Sequence, residues 1–561
     1  MVGCRLISAA VAAGLTIAGF VTDGSAVQAG GNASPKNIIV MIPDGCGPSI
    51  VTLSRWYKGA PLAVDKMTSG VVTTHMANSV VTGSAAASTA FACGFKTTVR
   101  FLGIGPRSAD VLSTYEWPYG DQSVEYRPLA SVLEAARLQG KSVGLVSTSR
   151  VTHATPAGYA CHIQDRGWDN DIMEHMVYQG LDVCFGGGKR HLLPVSEGGR
   201  RTDGENLLDT LLAKGYQFVE TRDQLNALSS GKAFGLFAMS HMDADMDRAT
   251  YHPDEPSIKE MTDKAIELLS QNPNGFFLMV EGSQVDWGGH NNDPIWMITD
   301  FLAFDDAMQS ACDFADQDRN TTVIGFADHN CGGMDIGNYK CEYTNVTVEE
   351  LLDPLSGMQV TASSVVGEMG GDYSDANMIA TIQTWWGLTI TAADAQAIRD
   401  KALTNAGPIY SPIGMSYALA EYISEQYTEI GWVSHGHNAE DVPLWTYGKG
   451  MRGRNNTVDN TEIADWIFAA LHAKKERVNK NLFVDLATAA SYSVDNSDPE
   501  NPVAEFGVTG GTARLPIHKN YLYVTTASGT DAYELNGLVV LVPGTGKVWV
   551  PKEAIQIAQS Y

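Results

Sequence analysis

The chain has 561 residues, of which 44% are hydrophobic and 18% charged, a composition typical of a globular protein rather than a disordered or fibrous one. Its 64 acidic residues exceed its 38 basic residues, and the formal net charge is -26. A negative field of this size repels nucleic acid and anionic membranes, and the sequence contains no strong basic patch, so we expect no nucleic-acid binding. An anionic substrate would have to be attracted by bound metal ions or by a few buried cations.

The N-terminal segment predicts a secretory signal peptide. An apolar stretch at residues 6–21 is shorter than the roughly 20 residues that span a bilayer, and residues 27–29 fit a small-x-small cleavage site. We expect cleavage after Ala29, removal of residues 1–29, and a secreted or periplasmic mature protein with no membrane span. An uncleaved anchor is the alternative.

The cysteines do not predict a disulfide scaffold. Of the eight cysteines, Cys4 lies in the signal segment and seven remain in the mature chain. Export would allow disulfides, and Cys331 with Cys341, or Cys161 with Cys184, could pair. Buried free thiols are the alternative, and spacing alone does not decide between them.

Short β-rich runs alternate with helix-like stretches through most of the chain. In order, NIIVMIP, SVGLVST, FFLMVEG and TTVIGFA predict strands, and PLASVLEAARLQG and SIKEMTDKAIELLSQ predict helices. This alternation is typical of an α/β fold in which helices cover a central sheet.

Two segments depart from this rhythm. The block at about 335–430, with the helical stretches ANMIATIQTWWG and AADAQAIRDKAL, indicates an insertion. After the helix-like EIADWIFAALHAKKE, the runs NKNLFV, HKNYLYVTT, ELNGLVVLV and KVWVP predict a small β-rich C-terminal module at about 477–561. The mature chain is therefore divided into a main domain at 30–476, which carries the insertion, and this module.

Carboxylates and an imidazole follow the ends of predicted strands, where open α/β sheets bind their ligands. Asp44 follows IIVMIP, Glu281 follows FFLMV, and Asp328 and His329 follow VIGFA. Oxygen and nitrogen donors of this kind suit magnesium and zinc. The set predicts a multinuclear metal site at the strand ends.

The segment VEGSQVDWGGH adds two more donors. Asp286 and His290 are four residues apart, so a helical turn would direct both to one metal ion. Further along, SHGHNAEDVP supplies His435 and His437.

Ser84 in VVTGSAAASTAFACGFKT opens an Ala-rich, helix-competent run. Its hydroxyl would lie at a helix N-terminus, where backbone N–H groups and the helix dipole favour an anion. A plain N-cap serine is the alternative.

The blocks IPDGCG, VTGSAAASTA, STSRVTHATPAGYACHIQDR, MVEGSQVDWGGH, FADHN and HGHNAEDVP, in this order, resemble the alkaline phosphatase family. The resemblance runs over most of residues 37–475 and does not cover the C-terminal module. It implies a single α/β catalytic domain around a large, mostly parallel sheet flanked by helices. It also implies hydrolysis of phosphate monoesters with release of inorganic phosphate, and a homodimer with the insertion as a candidate contact.

The resemblance implies individual roles as well. Ser84 matches the nucleophile that becomes phosphoserine and touches the metals, and Arg166 matches the arginine that binds the phosphoryl oxygens. The implied cofactors are two zinc ions and one magnesium ion. The first zinc is matched by Asp286, His290 and His437 (rather than His435), the second by Asp44, Asp328 and His329, and the magnesium by Asp44, Thr155 and Glu281.

Three departures from the family pattern affect these expectations. Gly83 stands where the family usually has Asp, so a carboxylate that would restrain Arg166 is missing. His153 stands where some relatives have Asp, and Trp287 where many have Lys or His. Both are possible site residues, although Trp287 could equally be packing, and the identity of the third metal ion stays open. A phosphodiesterase or sulfatase with a similar metal site, and a catalytically inactive secreted binding or structural protein, are the alternative functions.

Overall fold

The strands and helices follow the alternation that the sequence predicts. The structure, a computed structural model, describes residues 34–112, 124–341, 346–404, 412–451 and 453–561, so the predicted signal peptide at 1–29 lies outside the described residues. The strands, in chain order, are β1 (Asn37–Pro43), β2 (Thr68–Thr73), β3 (Ser142–Arg150), β4 (Val183–Gly187), β5 (Gln217–Val219), β6 (Ala233–Leu236), β7 (Phe276–Gly282), β8 (Thr321–Phe326), β9 (Asn330–Cys331), β10 (Asp335–Ile336), β11 (Ile430–Gly431), β12 (His437–Asn438), β13 (Val442–Gly448), β14 (Thr457–Asp459), β15 (Val484–Asp485), β16 (Tyr492–Asp495), β17 (Val503–Val508), β18 (Gly511–Pro516), β19 (Tyr521–Thr526), β20 (Gly529–Glu534), β21 (Val540–Val542) and β22 (Lys547–Val550).

The helices complete the alternation. They are, in chain order, α1 (Pro48–Lys58), α2 (Ser84–Cys93), α3 (Val132–Leu138), α4 (Ala154–Ala160), α5 (Asp169–Tyr178), α6 (Leu207–Ala213), α7 (Arg222–Ala227), α8 (Asp245–Tyr251), α9 (Ile258–Leu269), α10 (Gln284–Asn291), α11 (Pro294–Asp318), α12 (Val348–Ser356), α13 (Ala362–Glu368), α14 (Asp375–Trp386), α15 (Ala392–Ala402), α16 (Met415–Tyr427), α17 (Asn460–Ala470), α18 (Lys475–Leu482) and α19 (Lys552–Ala558). The four runs predicted as strands are β1, β3, β7 and β8, and the two predicted helices are α3 and α9.

A ten-stranded sheet forms the centre of the structure, in the order β14–β2–β13–β8–β1–β7–β3–β4–β6–β5. Only β13 runs antiparallel to its neighbours β2 and β8, and the other pairings of this sheet are parallel. The predicted large, mostly parallel sheet is confirmed. Because β8, β1 and β7 are adjacent and parallel, their carboxyl ends meet at one edge of the sheet.

Helices cover both faces of this sheet. One group contains α1, α9 and α11, and another contains α2, α3, α4 and α17; both groups contact the central strand β7 or its neighbours. Strands β1 and β7 are buried along their whole length. Their nearly continuous apolar sequences are what burial on both faces requires.

The predicted insertion is helical. Its two helix-like stretches form α14 and α15, within the run of helices from α12 to α16. Two short antiparallel ladders, β10 with β11 and β9 with β12, bring the two ends of the insertion together. Because β9 follows the carboxyl end of β8, its pairing with β12 places the chain that leaves the insertion at the carboxyl edge of the large sheet.

The C-terminal region is β-rich, as predicted. Strands β16 to β20 form a five-stranded antiparallel sheet, and β15, β22 and β21 form a three-stranded one. The prediction of a strand in NKNLFV is wrong, because most of this run belongs to α18, where Val478 and Leu482 are buried at helical spacing. Only the last residue of the run, Val484, enters β15. His518 Nδ1 lies 2.9 Å from His175 Nε2 of α5, so the module contacts the main domain. The exact domain boundary near residue 477 stays a prediction.

Two further expectations concern the whole chain. Across the ranges described above, no helix has both the length and the apolar character needed to cross a membrane. The seven cysteines in these ranges are all free thiols, and all except Cys341 are buried. The pairing of Cys331 with Cys341, or of Cys161 with Cys184, does not occur in this structure.

Candidate active site

Buried carboxylates lie where β1, β7 and β8 end. Asp44 follows β1, Glu281 is the last residue but one of β7, and Asp328 lies just beyond β8; all three are buried. The sheet register places Glu281 beside Ile42 of β1. Both oxygens of Asp44, Oε1 of Glu281 and Oδ2 of Asp328 are buried without a hydrogen-bond partner. Buried carboxylates of this kind must either take up a proton or be compensated by a cation for the lost hydration.

The carboxyl pKa values reflect the same crowding. Burial, followed by repulsion from Asp328, Asp286 and Glu281, raises the pKa of Asp44 well above its usual value. Burial raises the pKa of Glu281 to about 7 and that of Asp328 to about 6. Bound metal ions would remove this penalty and keep the carboxylates ionised.

A first donor group consists of Asp286 and His290 of α10 and His437 of β12. His290 Nε2 lies 3.3 Å from Asp286 Oδ2, and His437 Nε2 lies 3.4 Å from Asp286 Oδ1 and 3.3 Å from His290 Nε2. In a tetrahedral zinc site with bonds of about 2.0–2.1 Å, neighbouring donor atoms are about 3.3–3.4 Å apart. The three side chains are therefore spaced to bind one metal ion.

Backbone carbonyls orient both imidazoles of this group. His290 Nδ1 lies 2.6 Å from His435 O, and His437 Nδ1 lies 2.9 Å from Thr82 O, which leaves each Nε2 facing the shared space. Burial lowers the pKa of His290, but the Asp286 carboxylate outweighs burial and raises it to about 9. His435 lies beside the group, with its Nε2 3.2 Å from Glu421 Oε2.

A second donor group adjoins the first. His329 Nε2 lies 3.5 Å from Asp44 Oδ1 and 3.1 Å from Asp328 Oδ2. The N–H groups of Gly45 and His329 donate to Asp328 Oδ1, so Oδ2 is left to face the group. The rings of His329 and His437 are stacked with centroids 3.5 Å apart. The first and second donor groups are therefore in direct contact through these two imidazoles.

A third donor group surrounds the other side of Asp44. Donor atoms of Asp44, His153 and Glu281 lie within 4.8 Å of one another. Thr155, in the first turn of α4, has a buried Oγ1 without a hydrogen-bond partner. The Trp287 ring lies 5.9 Å from that of His153. Oxygen donors predominate in this group, which suits magnesium, while the imidazole suits a softer ion.

Ser84 lies at the N-terminus of α2, as predicted. Gly83 is the N-cap and Ser84 the first helical residue, so the interpretation of Ser84 as a plain N-cap is wrong. Its Oγ lies 3.3 Å from His329 Nε2. The hydroxyl therefore stands at the helix N-terminus, beside the second donor group, where an incoming anion would also meet the N–H groups of α2.

Arg166 is held in place without an acidic residue at position 83. Its Nη2 lies 2.7 Å from His153 Nε2, and its backbone N–H donates to Arg100 O at 3.0 Å. A Cβ on Gly83 would meet no atom within 4 Å. The expected loosening of Arg166 is thus countered by His153, a residue that the sequence placed in the third metal site.

Comparisons with known proteins identify the family of the chain. The family model for alkaline phosphatase matches residues 35–473. The chain belongs to the alkaline phosphatase family.

Three relatives illustrate the membership. Alkaline phosphatase 3 of Bacillus subtilis (strain 168) is 32% identical over 451 residues, which cover 78% of this chain and 89% of that protein. The crystal structure of Thermus thermophilus alkaline phosphatase is similar with a TM-score of 0.69 and 27% identity, covering 80% of this chain and 94% of that one. A variant of the TAB5 alkaline phosphatase with Mg bound in its M3 site has a TM-score of 0.54 and 25% identity, covering 79% of this chain and 100% of that one.

Membership of the alkaline phosphatase family establishes the reaction class. The chain is a phosphoric monoester hydrolase with the alkaline phosphatase fold, and its family is metal-dependent. Family membership therefore favours a phosphomonoesterase over the alternative functions that the sequence left open. Neither a phosphodiesterase or sulfatase nor an inactive protein is needed to explain the site.

Two residues near the site were not among those taken from the family motifs. Cys331 Sγ lies within 4.8 Å of the donor atoms of Asp286, His290 and His437. The only feature of the sequence that could have indicated this position is that Cys331 follows His329 by two residues. The His241 ring lies 4.3 Å from the Trp287 ring. Nothing in the surrounding SHMDAD distinguishes His241, because its approach depends on how the chain folds back from β6.

Proposed function

We propose that this alkaline phosphatase transfers the phosphoryl group of a monoester to Ser84 and then to water, at a site that binds two zinc ions and one magnesium ion. The observation that carries this proposal is the Ser84 hydroxyl at the N-terminus of α2, 3.3 Å from His329 Nε2 and beside carboxylate oxygens without partners. The donors would be Asp286, His290 and His437 for the first zinc, Asp44, Asp328 and His329 for the second, and Asp44, Thr155 and Glu281 for magnesium, with His153 and Trp287 bordering the third site.

The residues of the chain would act in two steps. Ser84 Oγ forms a bond to phosphorus as the bond to the alcohol oxygen breaks, and the proton lost by the serine balances the one gained by the leaving alcohol. Water then cleaves the phosphoserine, regenerating Ser84 and releasing inorganic phosphate. The Arg166 guanidinium binds two non-bridging oxygens as a fork, and His153 holds that fork in place. When bound, the metal ions would stabilise the charge on the attacking and leaving oxygens.

The covalent step can be tested at Ser84. Ser84→Ala should remove nearly all turnover of an aryl phosphate monoester and abolish trapping of labelled phosphate on the protein, because the acceptor oxygen is gone. Ser88→Ala is the matched control, since it removes a buried hydroxyl one turn further along α2. Labelling of Ser84→Ala at the level of the control would contradict the assignment.

The metals can be tested on the unaltered enzyme. Chelation should abolish activity, and zinc together with magnesium should restore it. Full activity with magnesium alone would contradict the two zinc sites. Magnesium in the third site is supported by its oxygen donors and by the TAB5 variant with Mg in its M3 site.

Export and assembly rest on the sequence and the family resemblance. We propose that residues 1–29 are removed, that the mature enzyme is secreted or periplasmic, and that it forms a homodimer. The N-terminal sequence of the mature protein should begin at Gly30, and light scattering should give twice the chain mass. A mature chain that retains Met1, or a monomeric mass, would contradict the respective proposal.

A further inference from the structure

Cys331 lies at the first donor group, where the proposed function gives it no role. Strand β9 pairs antiparallel with β12, and Cys331 is directly opposite the donor His437. The Cys331 N–H donates to Gly45 O at 3.0 Å. On the other side, a Cβ on Gly289 of α10 would lie 2.8 Å from Cys331 Cβ, so the cysteine is packed tightly against the helix that carries Asp286 and His290.

This packing directs the thiol toward the same space as the other donors. Cys331 Sγ and the donor atoms of Asp286, His290 and His437 all lie within 4.8 Å of one another. Independently, Asp286 Oδ1 is buried there without a hydrogen-bond partner. A cation in this space would therefore meet a sulfur donor as well as the carboxylate and the two imidazoles.

The four donors differ in their exposure to solvent. Cys331 is fully buried, whereas the side chains of His290 and His437 retain 22% and 16% of their exposure. The sulfur is therefore the donor most shielded from solvent, and the two imidazoles are the donors that solvent reaches. Some catalytic zinc ions expand from four to five ligands in the transition state, so four protein donors are compatible with a substrate oxygen as a fifth ligand.

We propose that Cys331 is a fourth protein ligand of the zinc ion bound by Asp286, His290 and His437. The bond forms between Sγ and the ion, and the thiol proton is released to solvent. Sulfur is a soft donor, so Cys331 makes this position selective for zinc over magnesium. The inference rests on the zinc site of the proposed function. The alternative is a neutral thiol beside the Asp286 carboxylate.

X-ray absorption at the zinc edge of the zinc-loaded, full-length enzyme distinguishes these two states. A Cys331 ligand gives a sulfur shell at about 2.3 Å, with about one sulfur for every two zinc ions, whereas a neutral thiol gives only nitrogen and oxygen neighbours. Cys331→Ser should remove the sulfur shell. Cys46→Ser is the matched control, because Cys46 is also buried, two residues after Asp44, but belongs to none of the donor groups found in the described ranges.

The wild-type spectrum decides the question without any variant. Zinc bound at both sites with no sulfur shell would overturn the role of Cys331 and leave the proposed function intact. A sulfur shell in an enzyme that forms no phosphoserine would support Cys331 and count against the proposed function. Failure to bind zinc at all would overturn both.

A second readout measures zinc affinity by competition with a chelator. Loss of an outer-shell partner alone typically costs about 10–100-fold in metal affinity, so loss of a direct ligand in Cys331→Ser should weaken zinc binding at this site by at least that factor, whereas Cys46→Ser should bind zinc as the wild type does. Equal affinity in the wild type and Cys331→Ser would contradict the ligand role.

Discussion

Gly45 is the position where the smallest substitution should disturb the metal site most. Its backbone is left-handed, with φ of +72°, and a Cβ there would lie 2.6 Å from Asp286 Cα. Ordinary van der Waals contact begins at 3.4 Å, so Gly45→Ala requires Asp286 to move by about 0.8 Å. Metal–ligand distances tolerate deviations of only about 0.2 Å. Asp286 should therefore leave the coordination range of the first site.

Gly45→Ala should lower both the stability of the fold and the affinity for zinc. A non-glycine residue in this backbone conformation costs about 1–2 kcal/mol of stability. Displacement of a ligand should lower zinc affinity and kcat/KM by about 10–100-fold, with partial recovery in excess zinc. Gly59→Ala is the matched control, since Gly59 has φ of +62° and a Cβ there meets nothing within 4 Å. It should lose similar stability and keep its zinc affinity.

Thermal unfolding, chelator competition and turnover of an aryl phosphate monoester measure these losses separately. If Gly45→Ala retained wild-type zinc affinity while losing no more stability than Gly59→Ala, the backbone would have relaxed around the new methyl group. Such a result would contradict the predicted displacement of Asp286.

Two other substitutions probe the surroundings of the site. Gly83→Asp should lower the inhibition constant for phosphate and reduce kcat where product release is limiting, because a carboxylate there would further order Arg166. Weaker inhibition by phosphate would show that His153 already suffices to orient Arg166. Burial raises the pKa of Asp293 to about 6 from 3.8. Between these two pH values the native state keeps a proton that the unfolded state has lost, so the free energy of unfolding should fall by about 3 kcal/mol as the pH rises from 3.8 to about 6. Denaturant unfolding at several pH values should show this fall in the wild type and not in Asp293→Asn; equal slopes would contradict the assignment.

The sequence predicted the strand ends and their carboxylates because burial on both faces makes β1, β7 and β8 unmistakably apolar. It did not predict that β1 lies between β8 and β7, since strand order depends on how distant segments cross over. The roles of Ser84 and Arg166 came from the motifs rather than from periodicity. Local patterns also failed in NKNLFV, where helical and strand preferences compete over few residues.

Contacts between distant segments explain what the sequence missed. Cys331 joins the first donor group through the packing of β9 against α10 and its pairing with β12. His153 contacts Arg166 because α4 begins beside the loop that precedes α5. Neither contact leaves a local signal, because each depends on residues far apart in the chain or on the geometry of a turn.

The local charge of the site explains how a chain with a net charge of -26 can bind a phosphate dianion. Charges beyond about 8 Å are largely screened at physiological ionic strength, so the buried groups dominate. The carboxylates of Asp44, Glu281, Asp286 and Asp328 carry four negative charges, whereas the three proposed divalent ions carry six positive ones and Arg166 adds another. A thiolate at Cys331 would reduce this excess by one. Since a smaller excess binds the product dianion less tightly, the proposed ligand should favour phosphate release as well as zinc retention.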